Sequence, residues 1–164
     1  FLVLSTGELS NTTSYSRVYS QAEARRITEW VSRDARLART YDISAVANNP
    51  TDSHIKFYPV TGWDSVNKQY TLNPNYTEYT YDSAKHTVTR DIVDPAGLVL
   101  NSRVFEDVIS APFYTFDTSG NIIPLGAEIQ QSRMLVISIN VRKQTRAGVN
   151  IDSGITTEVR LRNG

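Results

Sequence analysis

Between Ser14 and Tyr41 the apolar residues recur at helical spacing, and after Asn48-Asn49-Pro50 that spacing does not return. Ala24, Ile27, Val31, Ala35 and Ala38 lie three or four apart, which places them on one face of a helix. Trp30, Leu37 and Tyr41 widen the stripe. The other face carries Arg25, Arg26, Glu29, Arg33, Arg36 and Arg39, with Glu29 four residues ahead of Arg33 in the favourable order. No Pro or Gly interrupts the run. The alanines in the apolar stripe allow close approach to a sheet. The spacing predicts a helix over about 14–41.

Beyond the break, short β-rich runs alternate with turn residues. They cover His54 to Tyr58, Tyr70 to Leu72, Thr77 to Tyr81, Thr87 to Ile92, Phe113 to Phe116, Met134 to Val141 and Ile155 to Leu161. Tyr79 and Tyr81 alternate onto one face of their run, and Leu135, Ile137, Ile139 and Val141 do the same. Asp82-Ser83-Ala84-Lys85 and Asp117-Thr118-Ser119-Gly120-Asn121 are turn chemistry. Val104 to Ile109 reads either as a strand or as a single helical turn. The expected class is α+β, a long N-terminal helix on an antiparallel β-sheet. Residues 1–13 read as a frayed remnant, 14–164 as a single domain, and the β-rich part as beginning near 54.

The length of 164 residues fits one such domain and not two. Seventeen basic and seventeen acidic side chains cancel, which removes bulk charge as a means of holding nucleic acid or a membrane surface. The absence of cysteine excludes disulfide scaffolds, thiol catalysis and cysteine zinc sites.

Catalytic patterns are thin. The two histidines, His54 and His86, belong to no metal-spaced motif, and neither a GxSxG elbow nor a phosphate-binding GxxxxGK[ST] loop occurs. A hydrolase would need one of these histidines brought to a serine and a carboxylate by the fold. Asp117, Ser119 and Asn121 place oxygen ligands at alternate positions, as a hard cation prefers, but lack the closing glutamate of a calcium loop. Asp152-Ser153-Gly154 is a weaker version of the same pattern. Arg142, Lys143 and Arg146 form a basic cluster at the expected tip of the last hairpin, the one local place for an anion or DNA, although no aromatic lies within that loop for base stacking. No catalytic group and no cofactor is expected.

Several segments, taken in order, resemble one family. Gln21 to Ala38 resembles the membrane-distal half of the first helix of type IV pilin-like proteins, where a polar, alanine-dotted helix runs into an xxDxRxA ending. Tyr79 to Arg90 resembles the hairpin Y-x-Y-D … L-x-R of the minor-subunit branch, and Phe113 to Asn121 its next strand and turn. Ile155 to Asn163 is similar to its closing strand, which often ends in Leu/Phe-Arg-Asn. The basic leader, the cleavage-site glycine and the apolar half-helix with its early glutamate are absent from these residues. Phe1 to Leu4 is accordingly expected to be the remnant of that half-helix.

The resemblance implies a pilin-like fold and a non-enzymatic minor pilin or pseudopilin in a type IV pilus, a DNA-uptake pilus or a type II secretion pseudopilus. Its partners would be other pilins or pseudopilins of the same filament, without a small-molecule substrate. The full-length form would be anchored in the bacterial inner membrane by an N-terminal helix, with its head in the periplasm or outside the cell. Arg25, Arg26, Glu29, Arg33, Arg36 and Arg39 would then pair with neighbouring subunits, and an exposed edge near Ile155 to Leu161 would offer a second contact. An unrelated secreted adhesin or ligand-binding module is the alternative; it would present a concave site lined by some of the nine tyrosines.

Overall fold

Helix α1 spans Leu2–Leu37, so it reaches back through residues expected to fray and stops short of Tyr41. The structure, a computed structural model, describes residues 2–45, 53–116, 119–121 and 134–160, and within these not the side chains of 2–10, 39–45 and 115. Ala38–Ala45 forms strand β1 instead of the expected last turn of the helix. It pairs antiparallel with β2 (Ser53–Asp64), setting Tyr41 opposite Phe57 and Ile43 opposite Ile55. Ala38 is buried in the core as the first residue of a strand, so its place in the apolar stripe could not mark where the helix ends. Thr40, Tyr41 and Ile43 are β-branched or aromatic and suit the strand better.

The larger sheet is antiparallel, in the order β1-β2-β4-β5-β6, with β4 at Tyr76–Asp82, β5 at Thr87–Val93 and β6 at Val99–Phe105. Strand β3 (Gln69–Leu72) pairs with the far end of β2 as a hairpin. In the smaller sheet β9 (Met134–Gln144) is central. On one side it pairs with β10 (Asn150–Arg160) over its full length; on the other, β7 (Val108–Ser110) and β8 (Phe113–Phe116) follow one another. Pro112, which has no N–H to give a ladder, stands in the gap between β7 and β8. The ambiguous segment Val104 to Ile109 is strand on both sides of a break at Glu106 and Asp107, where Asp107 takes a φ of 63°.

The stripe Ala24, Ile27, Val31 and Ala35 is fully buried against the sheets. It meets Ile55 and Phe57 from β2, Tyr79 and Tyr81 from β4, Val88 from β5, and Leu135, Ile137, Ile139 and Val141 from β9. Each fully buried Ile, Leu or Val contributes about 1.5–3 kcal/mol. Packing of α1 is mainly on β9 and β10; among the described residues β10 is the end strand of its sheet, as expected for an edge near Ile155 to Leu161, and 161 lies outside the described residues. Gly154 allows the side chain of Asn140 to occupy the space a Cβ would need; the Asn140 amide donates to Ser110 Oγ at 2.7 Å and ties three strands together. Among the described residues, no helix is long and apolar enough to cross a membrane.

Candidate functional site

The flank of α1 facing β5 and β6 carries Arg26, Trp30 and Arg33, spaced four and three apart and so on one side of the helix. On the sheet, Arg90 of β5 and Arg103 of β6 are register partners. The two sets meet on Trp30. The Cζ atoms of Arg33, Arg90 and Arg103 lie 3.8, 4.8 and 5.4 Å from its ring centroid. Phe105 forms a second platform, with Arg26 at 5.4 Å and Arg103 at 5.6 Å. Each such contact is worth about 0.5–2 kcal/mol, more when desolvated.

Beneath the arginines lies a buried network centred on Asp34. Its Oδ2 accepts from the Tyr79 hydroxyl at 2.7 Å and from Arg90 Nε at 2.8 Å, and Arg90 Nε also lies 3.0 Å from the Tyr79 oxygen. The side chains of Arg90 and Asp34 are only 9% and 8% exposed, which makes this a buried ion pair. Burial, and then the neighbouring Asp34 carboxylate, push the Tyr79 pKa far above its ordinary value, so the hydroxyl stays a donor. For Arg90, burial works against the charge, but the bonds and charge of Asp34 outweigh it and raise the pKa. Arg33, half exposed, sits 3.5 Å from the other oxygen of Asp34.

The arginine face read from the sequence therefore divides. Arg26 pairs with Glu23 and Arg33 turns to Trp30 and Asp34, whereas Arg25, Glu29 and Arg36 point to solvent. The expected Glu29–Arg33 pairing gives way to these contacts. The side chain of Arg39 lies outside the described residues, its backbone in β1.

The basic cluster near the last hairpin is built differently. Arg142 Nε and a terminal nitrogen donate to the two carboxylate oxygens of Asp152 at 2.7 and 2.8 Å across β9 and β10, in full view of solvent. That hydrogen bonding lowers the Asp152 pKa and raises that of Arg142. Lys143 bonds Asp107 at 2.8 Å and lies 4.6 Å from the centre of the Tyr19 ring on α1. Both are strand residues. Only Arg146 belongs to the turn proper, where Thr145 accepts from Val149 N and Gly148 takes a φ of 79°.

Of the cation candidates, Asp117 lies outside the described residues, while Ser119 and Asn121 flank Gly120 at a φ of 82°. Asp152 is held by Arg142, and Ser153 bonds Ser20 of α1 through their hydroxyls at 2.8 Å, so this triplet is strand, not loop. Among the described residues, no group of three or more acidic or histidine side chains is placed to hold a metal ion. His54 bonds Glu78 on the outer face of the larger sheet; His86 is exposed in the β4–β5 turn, with a φ of 55°. The Asp34–Tyr79–Arg90 network leaves no local signal in the sequence, because Tyr79 and Arg90 lie 45 and 56 residues from Asp34 and nothing local links them.

Compared with known proteins, the chain matches no family model and no curated protein.

Proposed function

We propose that this chain is the head of a minor pilin-like or pseudopilin subunit, with a pilin-like fold and a structural role in a bacterial envelope filament. The observation that supports this reading is the convergence on Asp34. Asp34 comes from the helix segment that resembles the family's xxDxRxA ending, and Tyr79 and Arg90 come from the segment that resembles its Y-x-Y-D … L-x-R hairpin. Residues quoted for the likeness thus form one buried network fastening helix to sheet, which a subunit pulled through its helix would need. Arg25 and Arg36 remain outward on the same helix for contact with neighbouring subunits.

The test is to read the coding sequence upstream of Phe1 and follow its product in cells. A short basic leader and an apolar helix of about 20 residues, with shortening that depends on the leader peptidase and filament loss on deletion, is the expected result. An ordinary secretion signal with normal filaments would remove the proposal. One observation favours a second reading, a secreted binding module: Trp63 and Tyr70 stack edge-to-face at 4.8 Å and stay exposed on the β2–β3 hairpin. Glycan-array binding lost in Trp63→Ala, without any filament phenotype, would favour that module.

A further inference from the structure

Strand β6 ends the larger sheet, and among the described residues no strand pairs with its outer edge. It is also unusually apolar for an edge: Leu98, which leads into it, Val99, Leu100 and Val104 are 63%, 48%, 52% and 52% exposed. It holds neither Lys nor Pro; its one charge is Arg103, and a register shift falls at Leu100, towards its N-terminal end, so the stretch 101–105 is the regular part of the edge. A free backbone ladder flanked by exposed aliphatics is the template for an added strand.

Charge selects the occupant. Four guanidiniums, those of Arg26, Arg33, Arg90 and Arg103, gather on the inner side of this edge against two carboxylates, Glu23 and Asp34. Asp34 is committed to Arg90, Tyr79 and Arg33, and Glu23 to Arg26, so three of the four guanidiniums already have a carboxylate. Arg103 is exposed, lies over the Trp30 and Phe105 rings and, among the described residues, forms no ion pair with a carboxylate. Its planar fork, already propped by two rings, is presented along the edge with little left to order on binding. On the outer side the edge offers Ser102 and Val104, without a positive charge.

We propose that the outer edge of β6 takes up an extended acidic peptide segment as an additional strand, with an Asp or Glu side chain facing Arg103 and the aliphatic side chains on either side of it sharing the face of Ser102 and Val104. Period-two alternation follows from the pleat: residues opposite Arg103 share its face, and those opposite Ser102 and Val104 share theirs. The site stands apart from the filament reading and holds or fails without it.

The experiment titrates the chain with a synthetic peptide of alternating Val and Glu, following backbone amide resonances. The expected result is saturable binding with shifts centred on residues 99–105, and no binding of the Val-Lys analogue. Arg103→Ala should weaken affinity about tenfold, the loss of one charge-assisted contact. Arg103→Glu should reverse the preference in favour of the Val-Lys peptide. Because strand addition uses every second amide of the peptide, N-methylating one alternate set should abolish binding while methylating the other leaves it. Binding indifferent to both methylation patterns would mean mere charge attraction and overturn the proposal. So would tighter binding of a DNA oligonucleotide at the same residues, or self-association through β6 with no uptake of peptide.

Discussion

The arginines around Trp30 and the basic residues of the β9–β10 hairpin carry the same charge, but they are held by different physics. Arg90 and Asp34 are nine-tenths buried, and each has a second partner in Tyr79. Arg142 and Asp152 form an equally short two-pronged pair, yet both side chains are nearly half exposed. Geometry alone would rank the second pair as high as the first. Burial reverses that ranking, because a lost partner at Asp34 strands a charge away from water, whereas a lost partner at Asp152 is replaced by solvent. The Arg90–Asp34 pair thus joins helix to sheet, whereas the Arg142–Asp152 pair spans only the two strands of a hairpin.

Asp34→Ala is the strongest way to break this contrast. It leaves the Arg90 guanidinium and the Tyr79 hydroxyl buried without their shared acceptor, and should cost about 3–5 kcal/mol in urea unfolding. A loss no larger than that of Asp152→Ala would mean that water reaches the network freely.

Alkaline pH sharpens the contrast at Tyr79. Its folded-state pKa is raised above the ordinary 10.0, so its contribution is complete below pH 10 and is lost as pH climbs above that value. The loss should grow by about 1.4 kcal/mol per pH unit. Tyr79→Phe should flatten that slope, read as the difference in unfolding free energy between the two proteins across pH. Parallel slopes would show that Tyr79 ionises as easily folded as unfolded.

The smallest effect belongs to the hairpin. Arg142→Ala should shift the melting temperature only slightly, and less in high salt. The Asp152 pKa is lowered in the folded state, so the pair's contribution is present above the ordinary carboxylate range and fades as pH falls through that range. A salt-independent, large shift at Arg142 would place this pair alongside Asp34.

The distinction was only partly legible beforehand. The stripe from Ala24 to Ala35 and the alternation of Tyr79 with Tyr81 are local periodicities, and burial follows both. The end of the helix was not legible, since Ala38 is a core residue in either conformation. Nor was β6: Leu100 falls where the β5–β6 register shifts, between the Val99–Val93 and Asn101–Ile92 pairs, which spoils the period-two pattern. Asp34 stands out in the sequence only as the aspartate of the xxDxRxA-like ending, which gives it no partner. Its burial comes from Tyr79 and Arg90, two strands that reach it only after folding. Likewise, nothing in the local sequence separates Arg33, turned onto Trp30, from Arg36, turned outward.

The proposed role as a filament subunit turns on that outward helix face, and in-cell photo-crosslinking reaches it directly. A photoreactive amino acid would replace Arg36 on α1 in one strain and Arg146 in the β9–β10 turn in another, both positions being exposed. The expected result is a covalent product between position 36 and another pilin-like subunit, with little or none from position 146. No subunit adduct from position 36 in cells that assemble filaments, or adducts to DNA from position 146 alone, would contradict it.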